Sequence, residues 1–230
     1  MAPRRLHSVQ PATFDFSAEN LAFAKREVAK YPEGRQASAV IALLWRAQEQ
    51  EGWLTEPAIR CVAAMLEMPP IRVLEVATFY VMFHLAPVGR KAHLQICGTT
   101  PCWLRGSDAL FATCRERIAE DSHTLSADGD FSWEEVECLG ACVNAPIVQI
   151  GADTFEDLTA DSLERLLDDL SAGRPVTPGP QIKRQFSAPA GGETTLVEAA
   201  ARSGAAPDEA KPAAARKRAP RRNPSDSGGA

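Results

Sequence analysis

Apolar side chains recur at helical spacing through the first third of the chain, and turn-forming residues divide them into four segments. Ser17 is placed to cap a helix carrying Leu21, Phe23, Ala24 and Val28, which ends before Pro32, Glu33 and Gly34. A second helix is expected from Gln36, with Val40, Ile41, Leu44 and Ala47 on one face and a stop at Gly52. Thr55 caps a third, with Pro57 in its first turn and Ile59, Val62, Ala63 and Leu66 following. Pro69 and Pro70 break the chain again. A fourth helix is expected from Ile71, carrying Leu74, Ala77 and Val81, before Pro87 and Gly89. Four amphipathic helices on short connections predict a helical bundle over residues 14–88.

After residue 88 the period changes. Residues 91–96 alternate like a strand and lead straight into Cys97, and residues 103–119 return to helical spacing through Leu104, Leu110, Phe111, Cys114 and Ile118. Asp128 and Gly129 mark a turn, and an extended stretch from Phe131 to Glu137 runs into Cys138. Val148–Ile150 reads as a short strand, followed by a hairpin-type turn at Gly151, Ala152 and Asp153. Thr159 caps a last helix through Leu163, Leu166, Leu167 and Leu170. The order β-α-β-β-α predicts a compact second domain over residues 89–173, and the whole chain an α+β protein.

Composition adds a third region and excludes several classes. The chain has 230 residues, 45% of them hydrophobic and 24% charged, which is ordinary for a globular protein. Residues 187–230 include 13 Ala, 5 Pro and 5 Gly and no aromatic residue. They have too little apolar surface to offset ordering entropy, so a disordered tail is expected. With 7 basic and 5 acidic side chains, this tail holds +2 of a net charge of −5, leaving −7 on the remainder. Six of the 12 residues from Lys211 to Arg222 are basic; a solubilising tail is the simpler reading, an electrostatic arm the sharper one. That balance gives no reason to expect nucleic-acid binding. The start of the chain lacks a secretory apolar core and no run of about 18 apolar residues occurs, so a reducing cytoplasm is the expected compartment.

Six cysteines are too few for a secreted disulfide scaffold, and their placement says more than their number. Cys97 and Cys102 form a C-x4-C pair, Cys138 and Cys142 a C-x3-C pair, and each pair follows a strand-like stretch. Two neighbouring strands ending together would aim four thiolates at one point, a soft site suited to zinc or to an iron–sulfur cluster. Structural zinc favours shorter C-x2-C knuckles, and the wider spacings suit two irons better. Gly98 and Gly140 free backbone N–H groups to face sulfur, and Thr99 and Thr100 add hydroxyl donors. A [2Fe–2S] cluster is therefore the leading reading, with zinc the alternative and disulfides a third. Arg105 stands where plant-type ferredoxins need another cysteine. Cys61 and Cys114 sit singly on expected helices and read as core. His84, His93 and His123 lack mutual ligand spacing and read as ordinary structural or surface histidines. Of Glu134, Glu135 and Glu137, alternation puts the last two on one face, and at least one is expected to face solvent.

At these residues the sequence resembles a known family. The runs CGTTPCWLRG from Cys97 and EVECLGACVNAP from Glu135 are similar to signatures of the 24-kDa subunit of NADH–quinone oxidoreductase, respiratory complex I. YPEGRQAS from Tyr31, AQEQEGW from Ala47 and EVATFY from Glu75 extend the likeness over residues 14–172. The resemblance implies a helical N-terminal domain followed by a thioredoxin-like [2Fe–2S] ferredoxin domain. It implies that Cys97, Cys102, Cys138 and Cys142 hold one [2Fe–2S] cluster. It also implies a place in the NADH-oxidising module on the cytoplasmic face of a bacterial inner membrane, beside a flavoprotein subunit that binds FMN and NADH and near further iron–sulfur subunits. The same motif occurs in NAD-reducing hydrogenases and NAD-dependent formate dehydrogenases, and a zinc-stabilised adaptor is the reading from another class. In thioredoxin-like folds a cis-proline often opens the strand beside the active loop, which makes Ala145–Pro146 a candidate for a cis bond.

Overall fold

A computed structural model describes residues 4–187, and backbone contacts divide these into two units, residues 4–88 and 89–187. The first is helical: α1 (Ala18–Val28), a 3-10 turn at Gln36–Ala39, α2 (Val40–Glu51), α3 (Glu56–Met65) and α4 (Pro70–Phe79). Ser17 Oγ accepts from the Asn20 N–H at 3.2 Å, and Thr55 Oγ1 from the Ala58 N–H at 3.2 Å, so two helix starts are closed by the expected caps. Leu43, Leu44, Leu54, Ile59, Leu66, Val73 and Phe83 fill the core.

Two expectations fail here, each for a local reason. The 3-10 turn precedes α2, and on that helix Leu43 and Leu44 point inward while Ile41 lies at the exposed margin. The fourth helix stops at Phe79, short of Val81, and Val81 is exposed. Arg4 donates to the carbonyls of Thr78, Tyr80 and Phe83, occupying acceptors that a continuing helix would use itself. Tyr80 is extended, and the chain turns back so that Phe83 enters the core. Buried Gln48 secures this return: its amide donates to Met82 O at 2.9 Å and accepts from the His84 N–H at 2.6 Å.

The second unit contains β1 (Ala92–Cys97), α5 (Thr100–Leu104), α6 (Ser107–Arg117), β2 (Phe131–Val136), a 3-10 turn at Cys142–Asn144, β3 (Val148–Ile150), β4 (Asp153–Glu156), α7 (Ala160–Ser171) and β5 (Gly179–Pro180). Sheet order is β2-β1-β3-β4-β5. β1 runs parallel to β2 and antiparallel to β3; β3 and β4 form the antiparallel hairpin, and β5 is parallel to β4. Leu94, Ile96, Phe131, Trp133, Val148 and Phe155 of the strands share a core with Leu110 and Cys114 of α6 and Leu163, Leu166 and Leu167 of α7. Thr159 and Ser162 close α7 with reciprocal side-chain bonds, a capping box that holds the helix start.

The single helix expected over residues 103–119 is two helices. Gly106, at φ +93°, breaks it, and Trp103 and Leu104 are left exposed on α5. β5 had no counterpart in the expected element order, since a two-residue strand carries no periodicity. Of the expected disordered tail, residues 188–230 lie outside the described residues. Ser187, its first residue, is ordered and bonded to Glu156. Cys114 is buried as expected, and burial drives its thiol up to about 12 despite the opposing Arg115 guanidinium. Cys61 is only half-buried, so it is not a core thiol. The Ala145–Pro146 bond is cis.

The fold of residues 80–85 makes a measurable distinction. Phe83→Ala is expected to cost about 3–5 kcal/mol in urea denaturation, and Val81→Ala less than about 0.5 kcal/mol, whereas a helix continuing through Val81 would raise the second value.

Candidate metal centre

Parallel pairing of β1 and β2 determines where the cysteines meet. Cys97, the last residue of β1, pairs with Val136, the last residue of β2, so both strands release their loops at the same edge. The Gly98 N–H donates to Val136 O at 3.0 Å and the Cys97 N–H to Ile147 O at 3.1 Å, holding the loop root between its two neighbours. Cys102 lies in α5, which Pro101 helps to start. Cys142 opens the 3-10 turn that follows the β2 loop.

The two cysteine pairs approach each other at this edge. Cys138 Sγ and Cys142 Sγ are 3.3 Å apart, and the Cys97 and Cys102 thiols lie near enough to shift each other's acidity. Cys97 is close enough to Cys138 and Cys142 to interact with both electrostatically. Cys97 and Cys102 are buried, Cys142 half-buried and Cys138 exposed.

Backbone and hydroxyl donors converge on these sulfurs. Burial works to raise the Cys97 thiol, yet hydrogen bonds from the Thr99 hydroxyl (3.1 Å), the Thr99 and Leu139 N–H groups and Cys102 bring it below the usual range. The Gly140 N–H, then the Cys142 thiol, lower Cys138. Its partners move the other way. Cys102 is raised to about 12 by burial and by its bond to Cys97, and Cys142 is raised by its bond to Cys138 and by burial. Within each pair, one thiol is thus brought below its ordinary range while its partner is raised above it. Four soft donors ringed by N–H groups fit an iron–sulfur centre, whose bridging and ligand sulfurs accept such bonds.

The glycines of the motif have distinct tasks. Gly140, at φ +84°, takes a backbone conformation that other residues enter only with strain and presents its N–H to Cys138. Gly98 makes room for a neighbour: a Cβ there would lie 2.0 Å from Glu135 Oε1. The Glu135 carboxylate is therefore folded against the residue between Cys97 and Thr99. Glu137 is exposed and Glu134 is buried.

Two of the histidines meet at Glu134. Its carboxylate accepts from Gln95 Nε2 at 2.7 Å and lies 3.2 Å from His93 Nε2 and 3.4 Å from His123 Nδ1. The β1–β2 register pairs Gln95 with Glu134, and this proximity cannot be read from chain separation.

Residues 24–171 match the family described as thioredoxin-like [2Fe-2S] ferredoxin, and that span is more than half of the chain. The chain belongs to this family. Its members carry one [2Fe–2S] cluster. The chain is 60% identical over 200 residues to an E-type subunit of the NADH-quinone oxidoreductase of Rhizobium meliloti, covering 85% of this chain and 73% of that protein. It is 52% identical over 158 residues to the E-type subunit of the NADH-quinone oxidoreductase of Rickettsia bellii, covering 68% and 94%. Among solved structures it is similar to an NAD+-reducing [NiFe]-hydrogenase in the H2-reduced state, with a TM-score of 0.53 and 20% identity over 60% of this chain and 23% of that one. At that identity the likeness is one of fold alone.

Glu135 offers a direct electrical probe of this centre. Removing its charge in Glu135→Gln is expected to raise the midpoint potential by on the order of 50 mV, because a nearby carboxylate disfavours the added electron. Both side chains are exposed, but the Glu135 carboxylate lies against Gly98, so Glu137→Gln is expected to move the potential less; dye-mediated redox titration followed by EPR compares the two.

Proposed function

We propose that this chain is the thioredoxin-like electron-transfer subunit of an NADH:quinone oxidoreductase, holding its [2Fe–2S] cluster on Cys97, Cys102, Cys138 and Cys142. The observation that supports the proposal is that β1 and β2 end at one edge and release both cysteine loops there, in a chain 60% identical to a component of such an oxidoreductase. When bound, the cluster accepts and returns one electron at a time. The protein's contribution is to hold the sulfurs and surround them with donors. Thr99, Leu139 and Gly140 supply hydrogen bonds that favour thiolate, and Glu135 opposes added negative charge.

In this reading NADH and FMN bind to a flavoprotein partner, and this chain exchanges electrons with that flavin. It is a subunit of an oxidoreductase without a complete active site of its own. Cys138 opens the centre to solvent, with Trp103, Leu104 and Val143 also exposed on the segments that carry the ligands. No helix among the described residues is long and apolar enough to cross a membrane. The proposed location is the cytoplasmic face of the inner membrane, through the partner subunits.

EPR of the dithionite-reduced chain tests the ligand set. Cys→Ser at each of the four positions is expected to abolish the signal or shift its g values, while Cys114→Ser leaves it unchanged. Zinc without acid-labile sulfide in the purified chain would sink the redox reading. Co-purification with a flavoprotein and NADH-dependent quinone reduction supports the parent complex; co-purification with a hydrogenase refutes it.

A further inference from the structure

Beyond the last helix, residues 179–187 return across the sheet edge and are tied back to the second ligand loop. β5 pairs Phe155 with Gly179 and Glu156 with Pro180, and the Gln181 N–H donates to Glu156 O at 2.9 Å. The Phe186 ring lies against Gly179, where a Cβ would stand 2.2 Å from the ring. Yet Ile182 and Phe186 both remain more than half exposed, so apolar burial does little to hold this strap.

Its attachment is polar and centres on Glu156, which is 1% exposed. Glu156 Oε2 accepts from Asn144 Nδ2 at 2.6 Å and from the Ser187 N–H at 3.2 Å. Glu156 Oε1 accepts from Ser187 Oγ at 2.9 Å. Asn144 Nδ2 also donates directly to the strap, to Gln185 O at 3.0 Å, and Asn144 O accepts from the Asp157 N–H at 2.7 Å. Arg184 adds an ion pair to Asp157 at 3.2 Å. A carboxylate this deeply buried is costly unless its oxygens are satisfied, so Asn144, Glu156 and Ser187 hold one another in place.

Asn144 ends the 3-10 turn that Cys142 begins. We propose that the strap is a brace for the cluster: Ser187 and Glu156, acting through Asn144, are positioning residues that fix the Cys142 sulfur. The brace acts where packing is weakest, since Cys142 is half-buried and Cys138 exposed, whereas Cys97 and Cys102 are buried. This inference rests on the ligand assignment proposed above and extends the functional machinery past the last helix.

The test uses the full-length chain with its cluster. Loss of visible absorbance on challenge with a chelator reports how often the ligand loop opens, and EPR of the reduced chain reports the geometry at the iron. Glu156→Gln and Asn144→Ala are expected to bleach about tenfold faster than wild type with altered g values, and Ser187→Ala about fivefold faster. Ser187→Thr, which keeps the hydroxyl, is expected to restore the wild-type rate. Where Glu156→Gln fails to fold by circular dichroism, the Ser187→Ala and Ser187→Thr pair decides. Variants that melt earlier but bleach at the wild-type rate with unchanged g values would show a merely structural strap and overturn the proposal. A wild-type chain lacking the cluster's absorbance overturns the ligand assignment instead, and is seen before any variant is compared.

Discussion

The site depends on one pairing. β1 and β2 are adjacent and parallel, and Cys97 is in register with Val136. Parallel neighbours end at the same edge of a sheet, so two loops from distant parts of the chain emerge side by side. An antiparallel pair would send the two cysteine loops to opposite ends. The Gly98–Val136 and Cys97–Ile147 hydrogen bonds then fix the loop root from both sides, and the local N–H groups of residues 99, 139 and 140 have sulfurs to meet.

Much of this was legible because the signals are local. Ser17, Thr55 and Thr159 announced helix starts through cap chemistry that needs only three or four residues. Cys97 and Cys138 each followed an extended run, and that sufficed to suggest converging loops. Several of the failures involve partners far away in sequence. Nothing near Val81 says that Arg4 will claim the carbonyls at the end of α4. Nothing near Asn144 says that residue 187 will be its neighbour through Glu156. The spacing of His93 and His123 does not say that both meet Glu134, the first from the neighbouring strand and the second from the loop before β2.

The two units use buried polar groups in the same manner. Gln48 in the first and Glu156 in the second each join an irregular segment to regular structure with short hydrogen bonds. Irregular backbone cannot satisfy its own donors and acceptors, so a side chain with several polar atoms does so from a fixed helix or strand. These residues break the binary pattern of apolar inside and polar outside, and that is why pattern reading passes over them.

The unequal cover of the four sulfurs gives the centre a chemically vulnerable side. Dissolved oxygen, peroxide and competing thiols meet Cys138 first and Cys142 next, while Cys97 and Cys102 lie behind protein. Ageing of the protein in air therefore begins at the β2 loop. A partner that covered that loop would protect the centre as well as trade electrons with it, and the isolated chain would then be shorter-lived than the assembled one.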